Sequence, residues 1–222
     1  MRDIVKLVFD KDSFFEMTKF FGKGIITGFA RINGFPVAIF ANDSNFYAGS
    51  MSAEGAQKTS RFIRLCDTFR IPIVSLVDEP GFLIGPDAER AGTILHGTEA
   101  VLATTESKVP WTTIMIRKSF GVAAAAHYGP DGYVLAWPSA ESGPLPLEGG
   151  VAVAFKKEIA SAKNPEAKRK ELEEKMAKNQ SPFPRAEAFS VHEIIDPRET
   201  RKYIALWAER IQSQLKASLM NR

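Results

Sequence analysis

Three short apolar runs, IVSLV at 73–77, TTIMI at 112–116 and YVLA at 133–136, constrain the fold of this 222-residue chain more than any other feature. Each is four or five residues long and lacks the polar alternation of a half-exposed strand, which is the pattern of a strand covered on both faces. A helix-length segment separates the first two and suits a crossover connection in an α/β arrangement. The first run opens into DEPGFLIG at 78–85, the second into RKSFG at 117–121 and then VAAAAH. Glycine just past a strand end lets a ligand approach the backbone, and a helix starting there presents N–H groups that have no acceptor within the helix. Function is therefore expected at these strand ends.

Composition narrows the class. With 45% hydrophobic and 25% charged residues the chain can bury one sizeable core, so a single domain over 1–222 is expected. The 29 Lys and Arg against 26 Asp and Glu leave +3, spread along the chain rather than gathered in an arm. Nucleic acid is not indicated, whereas an anionic small ligand is compatible. Cys66, the single cysteine, falls at an apolar position of a helical pattern and reads as a buried, inert thiol. No basic leader with an apolar core opens the sequence, and no run reaches the roughly 18–20 apolar residues of a membrane span. A soluble protein of the cytoplasm, or of the mitochondrial matrix in a eukaryote, is the expectation.

In chain order, GIITGFARI and PVAIFA flank Asn33 and Gly34, the pair that most readily closes a tight hairpin, and 42–50 reads as a polar loop. Over 52–70 the residues Ala56, Phe62, Ile63, Cys66 and Phe69 recur at helical spacing, and Pro72 stops the helix. Lys58, Arg61 and Arg64 fall on other faces: the plainer reading is a solvated face, the alternative a site for a CoA phosphate or a partner's carboxylates. A helix is expected over 87–108 with Ile94, Leu95, Val101 and Leu102, and another over 149–160. The Lys- and Glu-rich stretch 161–188 reads as an exposed helical arm. Asp196-Pro197-Arg198-Glu199 is a helix start, and Ile204, Trp207, Ile211 and Leu215 form an apolar stripe that docks on this domain or on a neighbour.

Candidate chemistry is sparse. Pro80-Gly81 fits the centre of a type II turn, and a pocket wall could begin at Gly81. Asp78 at its strand end is a loop anchor or a catalytic carboxylate, and Glu141 is the other acid so placed. His96 sits alone on a largely apolar helix and reads as packed and hydrogen-bonded; with no second histidine or cysteine at ligand spacing, no metal site is assigned. Alanine-rich 120–126 suits close helix packing, and its small side chains also leave backbone N–H groups accessible to a developing oxyanion.

FARINGFPVAIFAN, RFIRLCDTFRIPIVSLVDEPGFLIG, RKSFG and AWPSAE, in this order and separation, resemble the C-terminal domain of the carboxyltransferase β subunits of biotin-dependent acyl-CoA carboxylases, the propionyl-CoA carboxylase type being nearest in pattern. The resemblance implies an α/β fold of the crotonase-like ββα superhelix kind. It also implies transfer of a carboxyl group from carboxybiotin to the α-carbon of an acyl-CoA, without a metal. Carboxybiotin releases CO2, the biotin anion takes the α-proton of the thioester, and the enolate attacks the CO2. Biotin would arrive on a carrier protein, and the implied partners are a carboxyltransferase N-terminal domain, the biotin carboxyl carrier and the biotin carboxylase component. In such a homo-oligomer the site lies between subunits, so this chain would supply its biotin-side half.

By the same resemblance the biotin-side oxyanion donors are the backbone N–H groups of Val122 and Ala123. Gly81, Phe82, Phe120, Gly121, Ala124 and Ala125 would form the biotin and acyl pocket. The family usually has glycine where this chain has Val122, often Tyr-Asp at Ala124-Ala125, and a glycine where Pro146 stands. A backbone N–H survives Gly→Val, but a branched side chain narrows the approach. Two other classes stay open: a non-biotin crotonase-type decarboxylase or hydratase with a complete site of its own, and a non-catalytic assembly domain whose glycine turns only serve packing.

Overall fold

The computed structural model of the chain describes residues 1–220, apart from the side chains at 148, 149 and 217–220. Asn33 and Gly34 take φ of 49° and 82°, and this two-residue link closes β2 (Ile25–Ile32) on β3 (Phe35–Asn42) with Ile32 opposite Phe35. Ahead of them lie α1 (Arg2–Val8) and β1 (Phe15–Met17), the latter antiparallel to β2. From β3 onward the sheet is parallel, running through β4 (Ile73–Glu79), β5 (Trp111–Phe120), β6 (Tyr133–Ala136) and, at its edge, β8 (Glu193–Ile194); β7 (Glu141–Gly143) pairs with the last residues of β5. The three apolar runs are thus β4, the middle of β5, and β6, as their pattern implied.

α2 (Ala53–Phe69) crosses from β3 to β4, α3 (Pro86–Arg90) and α4 (Thr93–Thr105) from β4 to β5, and the short α5 (Gly121–Ala125) leads toward β6. After β7 come α6 (Leu147–Ala154), α7 (Lys156–Ser161), α8 (Pro165–Gln180) and α9 (Pro182–Glu187); after β8 come α10 (Thr200–Arg210) and α11 (Gln212–Met220). Alternate strand residues face opposite sides of the sheet and feed three apolar clusters, the smallest around Met115, Val134 and Ala136. One face of the sheet packs Ile26, Ile39, Leu76 and Ile114 under Trp207 and Ile211, the other packs Ile25, Phe40 and Trp111 under Phe62 and Ile63 of α2. Each such side chain contributes roughly 1.5–3 kcal/mol on burial, which explains why the buried runs have no room for polar alternation.

Several expectations are corrected. The helix foreseen over 87–108 is two helices, because Gly92 at φ 74° breaks the backbone between α3 and α4, and Ile94 and Leu95 then face solvent rather than the core. Phe69 is exposed as well, since Arg70 turns left-handed to end α2 and Ile71 N–H donates to Cys66 O. Lys58 is not on a solvated face. It is 4% exposed, and its ammonium donates to Thr18 O, Phe21 O and Ile25 O at 3.0, 3.1 and 2.7 Å. Burial lowers its pKa to about 8, yet three carbonyls hold the charge. Arg61 and Arg64 are exposed, as read.

Asp196 caps a 3-10 turn over Pro197–Glu199 by accepting from Arg198 N–H at 2.9 Å, and the α-helix starts only at Thr200. The stripe of Ile204, Trp207 and Ile211 is buried in this chain's own core, which settles its docking partner. α8 keeps only Leu172 and Gln180 buried, and its surface carries pairs such as Arg169 with Glu173 at 2.7 Å. No helix among the described residues is long and apolar enough to cross a membrane.

Candidate active site

The site is assembled where β5 outruns its apolar stretch. Pairing with β4 slips at this point: Val77 lies opposite Met115 but Glu79 opposite Ser119, so β5 carries two extra residues there. That irregularity brings Arg117 and Lys118 to Asp78. Its carboxylate accepts from Arg117 Nε and Nη2 at 3.0 and 2.9 Å and from Lys118 N–H at 3.1 Å, so Asp78 anchors the loop. On the other side of β5, Ser119 lies opposite Ser142 and Phe120 opposite Gly143. Gly121, at φ 65°, then turns the chain from strand into α5 in a single residue, a conformation that side chains disfavour.

The residues implied by resemblance fall into two groups. Gly121, Ala124 and Ala125 line one cavity of about 270 Å³, together with Ser119, Tyr128, Ser142 and Arg185. Val122 and Ala123 are in the first turn of α5, whose N–H groups have no acceptor within the helix. The Val122 side chain is 68% exposed, whereas the Ala123 methyl is buried in the core, where α5 meets α4 and the sheet. Phe120 is buried at the strand end and does not line the cavity.

Gly81 and Phe82 stand just past the neighbouring strand end. Pro80-Gly81 forms no tight turn. Instead Met51 N–H donates to Gly81 O and Leu83 N–H donates to Met51 O, so the chain runs on as an isolated parallel bridge. The Phe82 ring lies over α4 so closely that a Cβ on Gly97 would come within 2.4 Å of it.

Beneath these two strand ends lies a buried polar cluster that the sequence did not reveal. Glu79 Oε1 accepts from Gly81 N–H at 3.0 Å and from Met51 N–H at 3.3 Å, and Oε2 accepts from Asn42 Nδ2 at 2.9 Å. Asn42 Oδ1 in turn accepts from Asp78 N–H at 3.0 Å. His127, just past α5, shares a hydrogen bond with Ser75 Oγ through Nδ1 at 2.8 Å and stacks on Phe40 at 4.1 Å between ring centres. Its carbonyl accepts from Trp111 Nε1 and Thr113 Oγ1, while Nε2 lacks a partner and lies 3.8 Å from Glu79 Oε2.

Burial pushes the Glu79 carboxyl up to about 8 against the opposing pull of its three N–H donors, and pushes His127 down to about 3. Both shifts favour the uncharged form, so the pair is neutral near pH 7 rather than an ion pair. Glu79 thereby ties down the Gly81 loop while His127 ties down the end of α5. His96 is the packed, hydrogen-bonded residue expected, bridging Gln57 at 2.8 Å and Glu99 at 3.2 Å. Burial raises the Cys66 thiol well above its ordinary range, in keeping with an inert core position. Among the described residues no three His, Cys, Asp or Glu side chains are placed to hold a metal ion.

Comparison with known proteins shows which family the chain belongs to. Residues 1–221 match the family described as the carboxyl transferase domain. The propionyl-CoA carboxylase carboxyltransferase subunit of Haloferax mediterranei is 37% identical over 222 residues, which is 98% of this chain and 43% of that protein. The methylmalonyl-CoA decarboxylase subunit alpha of Propionigenium modestum is 37% identical over 209 residues, 92% of this chain and 40% of that one. Among solved structures, the transcarboxylase 12S hexamer with methylmalonyl-coenzyme A and methylmalonic acid bound superimposes with a TM-score of 0.90 at 36% identity, over 96% of this chain and 42% of that chain. The chain spans about two fifths of the length of each of these relatives. The crotonase-like α/β fold expected from the resemblance is the one found. Matched over nearly its whole length in both sequence and backbone, the chain belongs to the carboxyl transferase domain family.

Proposed function

We propose that this chain is the biotin-side half of an acyl-CoA carboxyltransferase, in which the N–H groups of Val122 and Ala123 stabilise an oxyanion. The observation that carries the reading is the strand-to-helix switch at Gly121, which sets a first helical turn with free donors beside a cavity walled by Ala124 and Ala125. Those walls and donors fit a ureido group: nothing larger than a methyl projects from α5 into the cavity, and backbone donors need no proton transfer. When bound, biotin supplies the carboxyl group on a ureido nitrogen. The chain's own residues orient that group, and Glu79 and His127 hold the two strand-end loops in register. Asp78, bound on both oxygens by cationic and backbone donors, is poorly placed to serve as the base of a self-contained crotonase-type site.

The remaining half would come from a carboxyltransferase N-terminal domain, with a biotin carboxyl carrier and a biotin carboxylase completing the system. Exposed Ile84, Ile94 and Leu95 offer that domain an apolar face near the Gly81-Phe82 loop. Assembly as a hexamer, the state named for transcarboxylase 12S, is part of this proposal.

The test is biotin-dependent decarboxylation of a malonyl-type CoA by the chain reconstituted with its N-terminal domain. Ala123→Pro and Val122→Pro each delete one donor in a turn where proline is tolerated, and each is expected to lower kcat about 10²- to 10³-fold with the circular dichroism spectrum unchanged. Val122→Gly keeps the donor and removes the branched side chain, so its rate is expected to hold or rise. A folded proline variant with an unaltered rate would place the oxyanion donors elsewhere.

A further inference from the structure

The cavity beside α5 contains two polar groups that the reading above leaves unused. Arg185 at the end of α9 has no hydrogen-bond or ion-pair partner for its guanidinium among the described residues, and its Nε is buried. Arg2, Arg117, Arg169, Arg198 and Arg201 all pair with carboxylates. Ser142 on β7 is 5% exposed, and its hydroxyl likewise has no partner. Both residues line the 270 Å³ cavity, and among the described residues no Asp or Glu does. They also line an adjoining cavity of about 510 Å³ beneath α8, so they stand at the junction of the two spaces.

The placement of Arg185 is not accidental. Its carbonyl accepts from Ser190 N–H at 2.9 Å, Ser190 Oγ at 3.0 Å and Val191 N–H at 3.3 Å, which pins the backbone while the head remains unpaired. Ser142 is fixed by its strand register opposite Ser119, whose hydroxyl is 2.7 Å from Tyr128 Oη. Arg70 also has an unpartnered buried Nε, but it lies next to the N-terminal end of β4 with no orphaned hydroxyl beside it. A half-buried guanidinium and a hydroxyl without acceptors are costly unless something fills them. The planar fork of arginine matches a carboxylate, and the serine adds a further donor.

We infer that Arg185 and Ser142 form a carboxylate-binding subsite in the cavity walled by Gly121, Ala124 and Ala125. The inference rests on the proposed carboxyltransferase reading for its meaning, since the carboxylate it holds is the group in transfer. That group is carried either on the ureido carrier or on a dicarboxylic acyl thioester.

The probe is malonate, titrated into the intact chain with 15N-resolved amide and arginine Nε signals as readout, and acetamide as the neutral control. Saturable shifts at Arg185 Nε and at the Gly121 to Ala125 amides are expected with malonate and not with acetamide. Arg185→Met should weaken malonate at least about tenfold, Arg185→Lys and Ser142→Ala only about threefold. Arg185→Met should also melt at or above the wild-type temperature, because it removes a half-buried guanidinium whose buried Nε has no partner. No saturable shift, equal affinity in a folded Arg185→Met, or a variant that fails to fold would each overturn the subsite.

Displacement of malonate by biotin methyl ester, which has no free carboxylate of its own, would assign the carboxylate to the carrier, and displacement by malonyl-CoA but not CoA would assign it to the thioester; displacement by neither overturns its role in transfer. Arg185-dependent malonate binding in a reconstituted enzyme that moves no carboxyl group would sink the carboxyltransferase reading alone. Turnover by Arg185→Met with unchanged KM values would sink the subsite alone.

Discussion

Glu79 and His127 meet 3.8 Å apart in a fully buried setting, and their titrations pull stability in opposite directions. The unfolded Glu79 carboxyl releases its proton near 4.5 while the folded one keeps it to about 8, so its contribution is full below pH 4.5 and fades as pH rises toward 8. Unfolded His127 binds a proton near 6.5 but folded His127 only near 3, so its contribution is full above pH 6.5 and fades as pH falls toward 3. The two slopes cancel between 4.5 and 6.5, and stability falls on either side. Glu79→Gln should abolish the alkaline fall, worth on the order of 2 kcal/mol between pH 6.5 and 8. Melting curves at pH 5.5 and 8 check it, and an equal alkaline loss in both proteins would refute it. The sequence hid this pair for a physical reason. Asp78 and Glu79 look like the start of a loop because charge ordinarily ends a strand, whereas the slipped pairing with β5 continues the sheet and buries Glu79. Asn42, read as a loop residue, supplies one of the donors that makes such burial tolerable. Gly121 and the small residues after it were legible because backbone geometry is written in residue size, whereas the tight turn read at Pro80-Gly81 gives way to pairing with Met51, which no local signal announces.

At the scale of elements, helical periodicity showed which residues of α2 share a face but not what that face meets. Lys58 meets the carbonyls of the 18–25 segment, and no side-chain pattern announces backbone acceptors. Lys58→Met would keep an apolar stem at this buried position while leaving three carbonyls without their donor. The expected loss is about 1–3 kcal/mol, moderated because the buried ammonium is itself disfavoured. Urea unfolding measures it, and faster amide exchange at Gly22 to Ile25 should accompany it, whereas unchanged exchange there would show that the lysine ties nothing down. The break between α3 and α4 has the same origin as the hidden lysine: Gly92 could have sat within a helix, and only its tertiary setting makes it left-handed. Conversely the hairpin at Asn33-Gly34 was readable because both its residues encode the turn locally.

For the whole molecule, the three apolar clusters account for the apolar strands and for α2 and α10, but Ile84, Ile94 and Leu95 are left outside them at 87%, 63% and 66% exposure. If this is the face toward the missing half of the site, Leu95→Asp should weaken association with the N-terminal domain about tenfold or more and leave the melting temperature of the isolated chain unchanged. Sedimentation velocity on the mixed proteins decides, and undiminished association would move the interface to another face. The C-terminal stripe, which the sequence could equally assign to a neighbour, is already spent within the chain. Cys66, finally, is the only thiol and lies sealed between α2 and the sheet. An alkylating reagent therefore has one target, reachable only when that layer lifts. Its labelling rate turns an invisible opening into a permanent mass increment, a stopwatch against which every substitution named above can be timed in dilute solution, in crude extract or with a partner bound.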